Sequence, residues 1–171
     1  MKLYEYTSTN EKDCLAVFDS NVPFSFAPQE RETFQGFLQR LAPPYSYFIV
    51  RDDNENIVAC GGIKLEPSNH LARLRWNMVS REFHKQNFGT FLTLSRLYRI
   101  CQFPDIQIAT LCTSQYSFQF YEKIGFVVQH IVPDGIVLGM DEYLMELKLD
   151  KGKKKELETF AKQKSLKSNT A

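Results

Sequence analysis

Alternation of hydrophobic and polar positions predicts seven strands along the chain. It is clearest in the segments 71–79 and 141–149, where apolar side chains recur at every second residue. In segment 71–79, the alternation would place Ala72, Leu74, Trp76 and Met78 on one face. The remaining predicted strands cover residues 2–6, 45–51, 57–65, 106–112 and 126–132. Turn residues between the strands beginning at 45, 57 and 71 predict successive hairpins, and Pro133-Asp134-Gly135 predicts a turn before the last strand.

Apolar residues at helical spacing predict four helices, at about 11–18, 28–41, 88–101 and 116–124. Pro28 and the acidic residues after it mark the start of the second helix. Pro43-Pro44 marks its end. Gly125 follows the fourth helix and can adopt the left-handed conformation that ends many helices.

The predicted element order is β-α-α-β-β-β-α-β-α-β-β. The hairpins make the sheet largely antiparallel, while the long helical connection from Val79 to Ile106 allows one parallel pair. The expected fold is therefore a single α/β (α+β) domain. It would have a mixed, mostly antiparallel central sheet of about seven strands, flanked by about four helices.

Composition supports this fold class. The 171 residues are 43% hydrophobic, which suits one globular domain with a sizeable core. No apolar run is long enough to predict a membrane span, and the first residues do not resemble a secretory signal. The four cysteines lack metal-type spacing, so we expect free thiols, no metal site and a cytoplasmic location.

The charge distribution separates the last 21 residues from the rest. Residues 151–171 contain seven Lys and two Glu, whereas the net charge of the whole chain is only +1. We therefore predict a globular domain over residues 1–150 and a Lys-rich C-terminal tail over 151–171. The tail is expected to be a solvated extension, with a weakly amphipathic helix as the alternative. The rest of the chain shows no basic and aromatic surface, which disfavours a nucleic-acid partner.

Two segments contain the candidate chemistry. The polar sequence His84-Lys85-Gln86-Asn87-Phe88-Gly89 lies between a predicted strand and a predicted helix, where backbone N–H groups can bind an anion. About thirty residues later, Phe120-Tyr121 stands on the last turn of a helix, just before Gly125-Phe126. Alone, the first segment could be an ordinary helix cap, and Tyr121 could be an aromatic residue packed on the sheet.

The order of these two segments resembles the GNAT superfamily of acetyl-CoA-dependent N-acetyltransferases, with no subfamily indicated. The resemblance covers nearly all of residues 1–150, because the GNAT fold has the same element order. It implies an acyltransferase that moves an acetyl group from acetyl-CoA to a primary amine of a small molecule or peptide by direct attack. The alternative is a non-catalytic acyl-CoA-binding or interaction protein on the same fold. A homodimer is an expectation from the resemblance alone.

The resemblance also implies the cosubstrate-binding residues. In the family, the loop follows Arg/Gln-x-x-Gly-x-Gly/Ala, so that His84 and Asn87 depart from the pattern and Gly89 matches it. Asn tolerates the positive φ that the usual Gly would adopt. The strand before the loop would contact the pantetheine arm. The implied set is Asn77, Met78, Val79, His84, Lys85, Gln86, Asn87, Phe88, Gly89, Thr90 and Ser114. For Ser114, a helix N-cap is the alternative.

The resemblance implies that Tyr121 is the catalytic residue that protonates the departing thiolate. Arg73 occupies the position where some members carry a Glu that acts as the general base. Any general base of this chain would therefore lie elsewhere, and the candidates are Glu30, Glu66 and His70. Ion pairing is the expected role of Arg73. Phe24 and Phe26 would line the acceptor site or pack in the core.

Overall fold

A computed structural model describes residues 1–43 and 45–166 of the chain. Pro44, part of the predicted end of the second helix, and residues 167–171 of the predicted tail lie outside the described residues.

Seven strands form one mixed sheet, which confirms the predicted fold class. They are β1 (Lys2–Glu5), β2 (Tyr45–Arg51), β3 (Ile57–Glu66), β4 (Leu71–Val79), β5 (Ile108–Ser114), β6 (Val127–Val137) and β7 (Met140–Lys148). Their order across the sheet is β1-β2-β3-β4-β5-β7-β6. Only β4 and β5 pair in parallel; the other neighbours described in this sheet are antiparallel. The helical crossover after β4 explains the parallel pair.

Helices cover both faces of the sheet. They are α1 (Glu11–Asp19), α2 (Glu30–Gln39), α3 (Phe88–Ile100), α4 (Phe118–Glu122) and α5 (Lys151–Gln163). Phe18 of α1 and Phe34 of α2 pack in one buried cluster with Tyr47 of β2. On the opposite face, α3, α4 and α5 pack against the strands. The helices contribute Leu97, Tyr121 and Leu157 to this cluster, and the strands contribute Leu74, Ala109 and Met145. Each helix therefore buries its apolar stripe against the sheet or against a neighbouring helix.

The prediction of a solvated C-terminal extension is wrong for residues 151–163, which form α5. The Asp150 side chain accepts a hydrogen bond from the Lys153 backbone N–H and so caps the helix. Leu157 and Ala161, one turn apart, are buried, while most of the lysines remain at the surface. Two buried apolar residues among many lysines are a weak periodic signal, which explains the error.

The predicted turn at Pro133–Gly135 is also wrong, because these residues lie within β6 and the chain reverses at Leu138-Gly139. Pairing between β6 and β7 shifts register between Val132 and Val137. Asp134 has a φ of 54°, and its carboxylate accepts a hydrogen bond from the Gly139 backbone N–H. The turn-forming residues therefore produce an irregularity in the hairpin rather than its end.

A bulge interrupts the alternation predicted for β4. Arg75 pairs with Gly62 and Met78 with Cys60, so that Trp76 and Asn77 together oppose Gly61. Trp76 has a φ of 49°. Because the extra residue reverses the alternation, Trp76 and Met78 pack with α1 and α2, whereas Ala72 and Leu74 pack on the α3 face. The prediction that these four side chains share one face is therefore wrong, and Asn77 points towards α3.

Candidate active site

A cleft opens where β4 and β5 separate. The two strands pair only from Leu71 to Arg73 and from Ile108 to Thr110, and beyond these residues no pairing joins them. A cavity of about 980 Å³ lies at this point, bounded by both strands, the first turn of α3 and α4. Its size falls in the range typical of small-molecule sites. Backbone groups at the separated strand ends are thus available to a ligand.

The first turn of α3 faces this cleft. Lys85 and Asn87 have φ values of 63° and 66°, so the loop reaches the helix through left-handed residues, as Asn87 was expected to tolerate. The Phe91 N–H makes the first bond of the helix, to Asn87 O. The N–H groups of Phe88, Gly89 and Thr90 precede that bond and have no acceptor within the helix. With the helix dipole and the Lys85 side chain, this turn suits an anionic group such as a phosphate.

Gly89 brings α3 close to α4. A Cβ atom at this position would lie 3.3 Å from the Phe120 ring and 3.5 Å from the Val79 side chain. Both Gly89 and Thr90 line the cleft. The missing side chain therefore leaves the N–H groups of the turn accessible to a bulky ligand, as a pyrophosphate cradle requires.

The end of β4 is held by two side chains. The Val79 carbonyl accepts hydrogen bonds from Asn21 Nδ2, at 2.8 Å, and from His84 Nε2, at 3.0 Å. Asn21 is buried and also bonds the Val17 carbonyl at the end of α1. His84 thus acts on β4 as well as lining the cleft. In the sequence, Asn21-Val22-Pro23 breaks the first predicted helix, and no pattern pointed to a further role for Asn21.

Tyr121 lies at the end of α4 on the inner wall of the cleft. Its side chain is buried, packs against Phe120 and Phe126, and hydrogen-bonds Asn77. Burial raises the pKa of the Tyr121 phenol, while the nearby Arg96 charge and the hydrogen bond with Asn77 act in the opposite direction. A neutral phenol with fixed hydrogen bonding can donate a proton to a group in the cleft.

Arg96 of α3 is a buried residue that the sequence reasoning missed. Its Nε donates to the Leu92 carbonyl, and its Nη1 donates to the Gly62 carbonyl and to Asn77 Oδ1. Burial lowers its pKa to about 10, so it stays charged at neutral pH. A signal was present in the sequence, because Arg96 stands four residues from both Leu92 and Ile100 on the apolar face of the helix.

The structure distributes the other predicted cosubstrate residues unequally. The side chains of Met78 and Phe88 both pack in buried clusters, but Met78 lines the cleft and Phe88 does not. Gln86 Nε2 bonds the Glu82 carbonyl, and Gln86 is not among the lining residues. Ser114 lines the cleft from the end of β5. The N-cap alternative for Ser114 is wrong, because Ser117 occupies that position of α4.

The predicted acceptor-side aromatic residues differ in environment. Phe26 lines the cleft and packs 6.2 Å from Trp76, ring to ring. Phe24 is 56% exposed, and the guanidinium carbon of Arg81 lies 3.5 Å from the centre of the Phe24 ring. Of these two Phe residues, Phe26 lines the cleft and Phe24 does not.

The candidate bases are mostly engaged elsewhere. Hydrogen bonds from Arg73 and, to a smaller extent, from Lys64 lower the pKa of the Glu66 carboxyl to about 2. Arg73 therefore forms the expected ion pair, and Glu66 is too weak a base for this role. His70 Nδ1 lies 3.0 Å from the Asp105 carbonyl, and His70 does not line the cleft. Glu30 lines the cleft but accepts a hydrogen bond from the Ala27 N–H. Two carboxylates that the sequence did not suggest, Glu142 and Glu146 of β7, also line it.

Two other features are absent from the part of the chain that the structure describes. None of the described helices is long and apolar enough to cross a bilayer. Within residues 1–43 and 45–166, no group of three or more His, Cys, Asp or Glu side chains is arranged to hold a metal ion.

Comparison with known proteins gives a family and a fold. The family model of an acetyltransferase (GNAT) domain matches residues 21–149. No curated protein matches the chain by sequence. A structure of a putative GNAT-family acetyltransferase from Desulfovibrio desulfuricans superposes with a TM-score of 0.73 at 16% identity, over 87% of this chain and 99% of that one.

Two further solved structures have similar folds. An aminoglycoside 6'-N-acetyltransferase complexed with coenzyme A has a TM-score of 0.70 at 13% identity, over 88% of this chain and 98% of that one. A mutant spermidine N-acetyltransferase from Vibrio cholerae has a TM-score of 0.67 at 13% identity, over 86% and 95%. At these identities the likeness concerns the fold.

Proposed function

The chain belongs to the GNAT acetyltransferase family and is therefore an acyltransferase, and from this premise we propose that it acetylates a primary amine of a small molecule or peptide with acetyl-CoA. The observation that carries the proposal is the position of Tyr121. This phenol is buried at the inner wall of the cleft formed where β4 and β5 separate, and the first turn of α3 lines the same cleft with Gly89 and Thr90. A proton donor and an anion-binding turn thus face the same space.

The residues around the cleft fit coenzyme A. The N–H groups of Phe88, Gly89 and Thr90 bind the pyrophosphate, and Lys85 adds positive charge beside them. Backbone groups from Asn77 to Val79, other than the Val79 carbonyl that Asn21 and His84 already bond, pair with the amides of the pantetheine arm, as a peptide adds to a sheet edge. Acetyl-CoA supplies the activated acetyl group as a thioester. A backbone N–H at the end of β4 donates to the acetyl oxygen and stabilises the negative charge that develops there.

The acceptor amine and the Tyr121 hydroxyl lie on opposite sides of the thioester carbonyl carbon. The amine enters past Phe26 and attacks directly, without an acyl group on the protein. Tyr121 gives its proton to the sulfur as the carbon–sulfur bond breaks, so that the products are an amide and a neutral thiol. The carboxylates of Glu30, Glu142 and Glu146 line the cleft and accept the proton of the amine through water.

Calorimetric titration with acetyl-CoA and with free coenzyme A tests the cosubstrate site. We expect micromolar binding of both, followed by turnover with members of a panel of small amines and N-terminal peptides. Absence of binding would mean that the departures at His84 and Asn87 abolish the site. Tyr121→Phe should lower kcat by about 10²-fold without changing coenzyme A affinity, because general acid catalysis contributes about 10²–10⁴. An unchanged kcat would remove Tyr121 from the mechanism.

We also propose a reducing, cytoplasmic setting, which the four free thiols support. A homodimer through the outer edge of the sheet is the proposed assembly, since Val127 and Ile131 on β6 are exposed there. Sedimentation analysis tests this assembly directly.

A further inference from the structure

Arg96 has an unusual environment for a charged side chain. It is fully buried, and the ionisable groups that most affect its pKa are the phenols of Tyr121 and Tyr47 and the thiol of Cys60 rather than carboxylates. Carbonyl oxygens and one amide satisfy part of the guanidinium, and in the described part of the chain its Nη2 has no hydrogen-bond partner. An unpaired buried cation is costly, so its presence calls for a compensating role.

The backbone of β3 accommodates this guanidinium. A Cβ atom at Gly61 would lie 2.5 Å from Nη1 of Arg96 and 3.2 Å from Oδ1 of Asn77. Gly61 therefore leaves the space in which these two groups meet. The bulge at Trp76 is also required for this contact, since it directs Asn77 towards α3 at this point. Three separate elements, β3, β4 and α3, thus converge on one contact.

The contact continues to the cleft. Asn77 hydrogen-bonds Arg96 on one side and Tyr121 on the other. Arg96 itself is not among the residues that line the cleft, whereas Asn77 and Tyr121 both are. Arg96 also bonds the carbonyl of Leu92, another lining residue, but Asn77 is the lining side chain to which its guanidinium donates directly.

We propose that Arg96 is a positioning residue that acts through Asn77 to fix the Tyr121 hydroxyl and to stabilise the phenolate formed when Tyr121 gives up its proton. The proposal rests on the proposed role of Tyr121 as the acid. In that step the Tyr121 O–H bond breaks, an S–H bond forms on the leaving thiolate, and the negative charge passes to the phenol oxygen. Arg96 already carries the compensating charge, so no reorganisation is needed at that moment.

The surrounding titratable groups do not replace Arg96 in this role. Burial raises the pKa of Tyr47 well above its ordinary value, so Tyr47 stays neutral at the pH of the reaction. Cys60 lies on the α1 side of the sheet with Cys14, which hydrogen-bonds it. Among the groups that affect the Tyr121 pKa, Arg96 supplies the positive charge and Asn77 the hydrogen bond.

Ionisation of Tyr121 in the intact protein tests the proposal without any need for turnover. Fluorinated tyrosine, which ionises at lower pH than tyrosine, can be incorporated, and its ¹⁹F signal assigned by its loss in Tyr121→Phe. We expect Arg96→Met to raise the pKa of residue 121 by about one to three pH units, because an opposite charge nearby shifts a pKa by that amount. Arg96→Lys should restore part of the effect. Arg99→Met is the matched control, since Arg99 lies one turn further along α3 and pairs with Glu5.

The kinetic test separates a specific role from a structural one. Arg96→Met should lower kcat by about tenfold or more while coenzyme A affinity stays unchanged, and it should have no further effect in a Tyr121→Phe background. Equal loss in that background, or equal ionisation of Tyr121 in Arg96→Met and the native protein, would overturn the proposal. If Arg96→Met does not fold, Asn77→Leu breaks the same connection and should raise the Tyr121 pKa; an unchanged pKa there also overturns it. If no amine is acetylated, the ionisation measurement still decides the role of Arg96.

Discussion

At the residue scale, the space beside Gly61 determines where a buried charge can lie. The Arg96 guanidinium occupies that space and bonds the Gly62 carbonyl. Any side chain at position 61 would have to displace the guanidinium or move the strand. Because protein interiors are densely packed, neither adjustment is free.

Gly61→Ala should therefore destabilise the fold by about 1–3 kcal/mol, as overpacking typically does. Urea unfolding measures the change. Gly36→Ala is the matched control, because a Cβ there would also meet an Arg end, 2.9 Å from Nη2 of Arg40, but that side chain is exposed and can move. In the middle of α2, Gly36→Ala should stabilise by about 0.5–1 kcal/mol. Equal effects of the two substitutions would contradict the packing argument.

Glu66 provides a prediction about acid stability. Its pKa is lowered to about 2 by hydrogen bonds from Arg73 and Lys64, against about 4.3 in an unfolded chain. The stabilisation is thus fully present above about pH 4.3 and is lost as the pH falls through about 2. The stability difference between the native protein and Glu66→Gln should be constant near neutrality and shrink across that interval in urea titrations. A difference that does not vary with pH would rule out this ion pair as its source.

At the element scale, α5 is part of the fold rather than an appendage. Leu157 is 0% exposed in the same cluster as Leu97 and Ile100 of α3, and Phe160 lies 6.1 Å from Phe91, ring to ring. The helix thus covers the outer side of α3, whose first turn forms the proposed anion-binding end of the cleft. Loss of α5 would expose that surface.

Leu157→Ala should destabilise the protein by about 2–5 kcal/mol, the usual range for a buried Leu. Leu138→Ala is the comparison, since Leu138 is 92% exposed at the β6–β7 turn and should change stability by less than about 0.5 kcal/mol. Chemical denaturation of both variants gives the result. A Leu157→Ala effect as small as that of Leu138→Ala would mean that α5 contributes little to the folded state.

Most elements could be predicted from the sequence because their patterns are local. The hairpins from Tyr45 to Val79 and the helix after Asn87 follow from alternation, turn residues and helical spacing. Gly61-Gly62 in β3 predicts a bulge or a close backbone approach, and both occur there. The extra residue in β4 could not be assigned to Trp76, because no Gly or Pro stands in that strand and its alternation continues unbroken in the sequence. Its cause is the pairing with β3, which is a non-local interaction.

In the candidate site too, features with a local sequence signal were predicted and features that depend on non-local contacts were missed. Tyr121 and the first turn of α3 were predicted from neighbouring residues, and the structure brings them to one cleft. The partnership of Arg96 with Asn77 was missed, because it joins positions 19 residues apart through space left by a third element. The carboxylates of Glu142 and Glu146 were missed as well, since their alternation in β7 looks the same whether the polar face meets solvent or a ligand.

At the scale of the whole molecule, the cleft separates two parts of the sheet that touch little beyond Arg73 and Thr110. A ligand that contacts β4, α3 and β5 together binds the folded state and not the unfolded chain. Binding must then shift the unfolding equilibrium by mass action.

Coenzyme A should therefore raise the thermal midpoint progressively with concentration. Gly89→Val should abolish that rise, because its side chain would fill the turn beside Phe120. Gly152→Val is matched to it: Gly152 is also the second residue of a helix, α5, and a Cβ atom there would meet only Asp150 Oδ1, at 3.3 Å. Thermal scans with and without coenzyme A compare them. A ligand-dependent rise that survives in Gly89→Val would place the pyrophosphate elsewhere.

The four cysteines give the protein natural reporters of its own local opening. Cys14 and Cys60 are fully buried between α1 and β3, whereas Cys112 is exposed on β5. An alkylating reagent should reach Cys112 without any opening of the fold, although burial and the Glu142 carboxylate raise the pKa of this thiol to about 11 and so slow its reaction. The reagent should reach Cys14 and Cys60 only when the α1–α2 layer lifts from the sheet. The rate of that slow modification, compared with global unfolding, would measure how independently this layer moves. Since the same layer carries Phe26 and Glu30 at the wall of the cleft, the measurement would show how often this wall of the cleft opens in solution.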